Sequence, residues 1–281
     1  MTKKPNEDFL SSLTSYSTSQ LTYNDYLKVP ELLSLQRPQS EPAHHDEMLF
    51  IIIHQAYELW FKLILHEMET ALELMEQKNI LRANHFMTRV VEIFRILIPQ
   101  IHILETMTPA EFLQFRGKLN PASGFQSIQF REVEFLAGLR DERYLAFFKD
   151  RPEMRERLIQ RMKEPSLRDA YYKMLKGLGF DLPEDTSLEA FNTKPEVREK
   201  ILATLSMFYR YPEKQMPLYL LTESLVDLDE HLALWRDHHV RVVERIIGFK
   251  TGTGGSSGAS YLQSTTRKQC FPCLWQVRTV L

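Results

Sequence analysis

Hydrophobic positions along this chain recur at helical spacing. In the longest stripe Leu221, Leu225, Leu228, Leu232, Trp235, His239, Val242 and Ile246 follow one another at alternating steps of four and three. That spacing predicts a long helix packed through one face against others. The stripe stops at Gly248, a suitable C-terminal cap. A second apolar stretch, Met48 to Leu65, is interrupted by His54, Gln55, Glu58 and Lys62, so it predicts a buried or amphipathic helix rather than a membrane span. Strict period-two alternation bounded by turns is missing, and there is no internal repeat. Five of the ten glycines lie between Gly248 and Gly258, leaving the rest of the chain almost free of that breaker. An all-α fold follows.

Local signals place several helix starts. Thr108-Pro109-Ala110-Glu111 is a capping box with proline at the first helical position. Ser40, Glu41 and Pro42 open another helix, with Asp46 and Glu47 complementing the dipole in its early turns. Asn120 to Gly124 is a loop between helices. Residues 140 to 195 read as shorter, more charged helical pieces, an insertion or small satellite on a single domain spanning 1–281. The stretch TGTGGSSG is too short for a convincing interdomain linker.

Composition narrows the class without changing this picture. The 281 residues are 43% hydrophobic and 26% charged, enough apolar material for a sizeable core. A net charge of -2 gives no overall attraction to nucleic acid or membrane. The opening MTKKPNEDFLSSLTS has no apolar signal region. Two cysteines, Cys270 and Cys273, make no disulfide framework, and a reducing cytoplasm fits. They have the spacing of a redox or zinc pair but no second pair and no βαβ context, so coincidence is preferred.

Candidate chemistry sits on the stripes. His239 occupies a position otherwise reserved for apolar side chains. It reads either as a core histidine bonded to a carbonyl or as an axial haem ligand. Its neighbour His238 is turned about 100° away. His54 shares a helical face with Phe50, Tyr57 and Phe61, as core packing or as a polar group in a dry pocket. Arg116, between Phe112 and Leu119, is either a snorkelling arginine or a bidentate partner for a carboxylate. Lys250 to Gly258 matches neither a Walker nor a Rossmann phosphate loop. It is a flexible surface loop, or a lid whose amides and Thr253 hydroxyl meet a ligand. His44-His45-Asp46-Glu47 cannot converge on one metal, because adjacent helical residues diverge.

Four of these segments together resemble the tryptophan 2,3-dioxygenase family. They are LTYNDYL from Leu21, SEPAHHDEMLFIIIHQAYELWFK from Ser40, FRGKLNPASGFQSIQFR from Phe115 and LWRDHHVRVVERIIGFKTGTGGSSG from Leu234. The similarity runs from about residue 20 to the C-terminal end, with a less distinctive middle. It implies an all-helical haem domain of the indoleamine/tryptophan dioxygenase type, with one haem b per subunit, ferrous in the active form. The substrates implied are L-tryptophan and O2, the assembly a homotetramer, with no nucleic acid or membrane partner.

Residue by residue, His239 resembles the axial iron ligand and His54 the histidine that meets the indole N–H. Arg116 resembles the clamp on the substrate carboxylate, and Thr253 the lid threonine near the substrate ammonium and carboxylate. Phe50, Phe112, Leu119 and Ser123 match pocket positions. Tyr23 and Tyr26 match an N-terminal helix that reaches into the neighbouring subunit's site. The tail keeps FPxLWxVRT, but Cys270 and Cys273 stand where the family usually has other residue types. Two competing readings are a haem sensor or carrier built on the same His239 without turnover, and a helical interaction protein without a cofactor.

Overall fold

The computed structural model describes residues 21–254 and 258–281, so the opening segment read for a targeting signal lies outside the described residues. The chain divides into two compact units, Met1–Pro38 and Gln39–Leu281. In the first, α1 (Tyr23–Leu27) is capped by Thr22, whose hydroxyl oxygen accepts from the Asp25 amide at 3.2 Å. It is followed by α2 (Val29–Leu32), and Lys28 turns between them in the left-handed region at φ 53°. Neither helix buries a residue, and Leu21, Tyr23 and Tyr26 are exposed.

The second unit is built on three long helices: α3 (His45–Glu76), α4 (Ile80–Gln100) and α11 (Met216–Ile247). Helix α4 packs along both of the others. The buried side of α3 is Ile53, Tyr57, Phe61, Ile64, Met68, Ala71 and Met75, one stripe at steps of four and three. Helix α11 carries the stripe read from sequence: Leu221, Leu225, Leu228 and Leu232 are fully buried, and Gly248 ends the helix at φ 61°. Among the described residues there is no strand, as an all-α reading requires. Among them also, α3 is the one helix long and apolar enough to cross a membrane, although its buried stripe faces the protein core.

The shorter helices cross this frame. They are α5 (Pro109–Arg116), α6 (Ile128–Ala137), α7 (Pro152–Lys163), α8 (Leu167–Gly177), α9 (Leu188–Thr193), α10 (Pro195–Arg210), α12 (Ala259–Thr265) and α13 (Pro272–Gln276). The capping box at Thr108 forms with both of its hydrogen bonds. The start expected at Ser40 does not: the helix begins at His45, capped by His44, whose Nδ1 accepts from the Asp46 amide at 3.3 Å. The buried Glu47 carboxylate accepts from the Gln39 and Ser40 amides at 2.7 and 3.0 Å and from the Ser40 hydroxyl. That folds residues 39 and 40 back over the first turn instead of letting them continue the helix. Within residues 140–195, Tyr144, Phe148 and Leu158 gather with Phe135 in a separate small cluster, whereas Leu167, Tyr171, Leu175 and Phe191 enter the main core.

The C-terminal tail is pinned to α11 by one buried carboxylate. Asp229 accepts from the Cys270 amide at 2.7 Å, the Phe271 amide at 3.0 Å and the Trp275 indole at 3.1 Å. Cys270 and Cys273 are buried, and burial pushes both thiols up, Cys273 to about 11, so they stay protonated and unreactive. Asp229→Ala leaves two buried amides and the partly buried Trp275 indole unpaired and is expected to cost about 3–5 kcal/mol. Urea unfolding measures this, and a loss below about 1 kcal/mol would show that water replaces the carboxylate.

Candidate functional site

Helices α3, α5, α6 and α11 enclose a cavity between them, closed on one side by the chain around Thr253 and lined entirely from the second unit. Helix α3 contributes Phe50, His54, Tyr57, Glu58 and Phe61 along one face. Helix α11 contributes Trp235, His239, Val242 and Ile246. The helical repeat that builds the core thus also aims two imidazoles into one space.

The imidazoles are held differently. His54 shares a hydrogen bond between Nδ1 and the Phe50 carbonyl at 2.7 Å. A carbonyl only accepts, so Nδ1 carries the proton and Nε2 keeps its lone pair. His54 also lies against the Phe50 ring, with centroids 4.1 Å apart. Burial lowers its pKa below the ordinary 6.5, so it is neutral at physiological pH. His239 stacks on Trp235, one helical turn earlier, at 5.3 Å and 28°. Its ring has no hydrogen-bond partner among the described residues. Burial first, then electrostatic repulsion from the neighbouring His54 and Arg131 side chains, lowers its pKa to about 4. An unpaired neutral imidazole in an apolar wall is costly for packing alone, but it is what a metal ion requires. His238 faces away, its Nδ1 2.9 Å from His102 Nε2.

Further polar groups in the cavity wall come from α5 and from two loops. Arg116, in the last turn of α5, donates through Nη2 to the Thr251 carbonyl. Thr253 donates its hydroxyl to the Ala122 carbonyl at 2.6 Å, so the glycine-rich segment is docked on the Asn120–Gly124 loop. The docking is close: a Cβ on Gly254 would lie 2.6 Å from the Ser123 Cβ. Gly254→Ala is therefore expected to lift this segment off Ser123 and weaken ligand binding in the cavity roughly tenfold, the scale of one lost charged hydrogen bond. A binding titration decides this; an unchanged affinity would mean that the docked position is not the one used.

Of the residues singled out in sequence, Phe50, His54, Phe112, Arg116, Ser123, His239 and Thr253 all line this cavity. Phe50 and Phe112 meet at 5.6 Å. Leu119 does not line it: it lies in the 3-10 turn after α5, partly buried against the core. Tyr23 and Tyr26 belong to the first unit, where both are exposed. His44, Asp46 and Glu47 serve the start of α3, as helix-end polar groups.

Sequence reasoning missed the ionic end of the cavity. Arg131 and Glu134 on α6 and Arg236 on α11 are all buried and all line it. Local sequence carries no signal for this: α6 buries every residue from Phe130 to Ala137, so the charges in FREVEF sit on a helix with no solvent face, which only the surrounding packing determines.

Comparison with known proteins gives a consistent answer. The family model described as tryptophan 2,3-dioxygenase matches residues 11–181 and 192–281. Proteins named tryptophan 2,3-dioxygenase from a Nocardioides species and from Herpetosiphon aurantiacus are each 46% identical to this chain. The alignments cover 94% of this chain and 96% of the first relative, and 93% and 98% for the second. A Caulobacter vibrioides protein of the same name is 44% identical over 93% of this chain and 98% of its own length.

Proposed function

The chain belongs to the tryptophan 2,3-dioxygenase family, and from there we propose how its cavity performs the reaction. The enzyme is an oxidoreductase that inserts both atoms of O2 across the indole C2–C3 bond of L-tryptophan, giving N-formyl-L-kynurenine. The observation that carries the mechanistic reading is the pair of neutral imidazoles, from two helices, in one largely apolar cavity with a guanidinium in its wall.

The cofactor we assign is one haem b per subunit. The cavity fits it: His239 offers an unpaired nitrogen, and Trp235, Tyr57, Phe61 and Val242 supply aromatic and aliphatic walls. Bound in its ferrous form, the haem supplies the O2 activation that a closed-shell indole cannot.

The remaining work belongs to the side chains. Arg116 pairs with the substrate carboxylate through its planar fork. Thr253 donates its hydrogen to Ala122, so its oxygen keeps lone pairs for the substrate ammonium. Phe50, Phe112 and Ser123 form the pocket around the indole, which is thereby fixed in orientation, catalysis by positioning. His54 accepts the indole N–H at Nε2. Full proton removal would be steeply uphill, because each unit of pKa mismatch costs about 1.36 kcal/mol. The role of His54 is therefore to bond and position the indole.

His54→Ala is expected to lower turnover about tenfold, the scale of one hydrogen bond. Complete loss with substrate binding intact would make His54 a true base. Because the folded environment holds its pKa below 6.5, the acid limb of turnover should also lie below pH 6.5. Below that limb Nε2 is protonated and cannot accept.

The assembly we assign is a homotetramer in the cytoplasm, with Tyr23 and Tyr26 of one subunit completing the site of another. Their exposure in the single chain, with Leu21, supports this. The deciding experiment is anaerobic reduction of the haem-loaded protein, then L-tryptophan and O2, watched by visible and near-ultraviolet absorbance. Product absorbance is expected. A Soret band without product would make the protein a haem carrier or sensor, and no Soret band a cofactor-free interaction protein.

A further inference from the structure

The ionic end of the cavity carries more positive charge than its own residues neutralise. Glu134 is bound on one side by Arg131 Nη1 at 2.5 Å and on the other by Arg236 Nη2 at 2.7 Å. The three side chains are 7%, 2% and 3% exposed for Arg131, Glu134 and Arg236. Two guanidiniums thus share one carboxylate, leaving one buried positive charge. The neighbouring carboxylates do not pair with it: Asp141 holds Lys268 at 3.2 Å and Arg143 at 2.7 Å, and Glu58, in the cavity wall, accepts from the Gln129 side-chain amide at 2.8 Å and makes no ion pair with Arg131 or Arg236. Arg236 spends Nη1 on the Lys268 carbonyl at 3.1 Å. Arg131 is the less committed cation: its Nε is buried without a partner, and its guanidinium lies over the Tyr144 ring at 4.1 Å. Trp235, in the same cavity wall, also has a buried indole N–H without an acceptor.

We propose that this surplus charge seats a carboxylate, that the carboxylate is a porphyrin propionate, and that Arg131 is the residue that grips it. The proposal rests on the haem reading above. A buried cation is tolerable only when an anion joins it, and unpaired buried N–H groups call for an acceptor. The cavity supplies the complementary half as well. Ile101, Leu104, Met107 and Ile246 line it with aliphatic surface and no charge. A porphyrin has the same polarity, with two carboxylates on one edge and hydrocarbon substituents on the others. Arg131 therefore fixes which edge of the ring enters the ionic end. It is a cofactor-binding residue distinct from Arg116, which holds the amino-acid carboxylate.

The test uses full-length protein produced without haem and titrated with haemin or haemin dimethyl ester, followed by the Soret band. The ester has the same ring and iron but no carboxylates. The original protein is expected to prefer haemin by roughly tenfold or more, the scale of a charge-assisted hydrogen bond. In Arg131→Gln the preference should fall to below about threefold. Arg131→Lys, which keeps the charge, should retain part of it and serves if the glutamine variant fails to fold.

A second arm separates the two sources of carboxylate. The ratio of KM for L-tryptophan to KM for 3-methylindole should move in Arg116→Ala and stay fixed in Arg131→Gln. An undiminished haemin preference in both Arg131 variants overturns the proposal, as does a shift of the KM ratio in Arg131→Gln. If the original protein binds neither porphyrin, the haem reading itself has failed.

Discussion

Replacing His239 with alanine is expected to remove both the haem Soret band and N-formyl-L-kynurenine formation. Among the described residues the cavity offers two imidazoles, and they are not equivalent. His54 is anchored by the Phe50 carbonyl at 2.7 Å, whereas His239 has no hydrogen bond and only the Trp235 ring beneath it. Burial lowers the pKa of His239 to about 4, so a lone pair is available across the physiological range without competition from protons. On the proposed haem reading, removing it deletes the imidazole that would hold the iron and leaves a ring-sized hole beside Trp235. Free imidazole added to His239→Ala should occupy that hole and restore part of the Soret band and of the activity. His54→Ala should keep the band. The opposite pattern, a band lost with His54 and kept without His239, would exchange the two roles.

Arg116→Ala is expected to raise KM for L-tryptophan by roughly 30-fold, equivalent to about 2 kcal/mol, the lower end for loss of a charged partner. The lower end applies because Arg116 is only partly buried and keeps water within reach. An indole without the amino-acid group should change less than about threefold, having no carboxylate to lose. Arg116 already donates to the Thr251 carbonyl, so the proposed clamp and the docked segment would share one guanidinium. Truncating the arginine should also loosen that segment, which limited proteolysis around Lys250 would report. Equal losses for both ligands would reduce Arg116 to a structural tie. Arg116→Lys should recover only part of the effect, since an ammonium cannot form two parallel bonds.

Local signals were enough for the helical skeleton. The eight-residue stripe on α11, the capping box at Thr108 and the stop at Gly248 are each written within a few residues, and each forms as read. Where a distant group intervened, local reading failed. The helix start moved from Ser40 to His45 because the Glu47 carboxylate draws residues 39 and 40 back across the first turn. Leu119 shares a motif with the pocket residues, yet the 3-10 turn after α5 carries it out of the cavity wall.

Periodicity and motif by themselves determined the all-α class, the helices that bear His54 and His239, and the family. Helix spacing fixes which side chains share a face, and that is a property of a single segment. Tertiary structure alone decided that those two faces meet across one cavity and that Thr253 and Arg116 are tied to the loops at Ala122 and Thr251. It alone also decided that Arg131, Glu134 and Arg236, separated by up to 105 positions in the chain, form one buried ionic group. A charge becomes chemically informative when water is taken from it, and burial depends on what the rest of the chain packs around it.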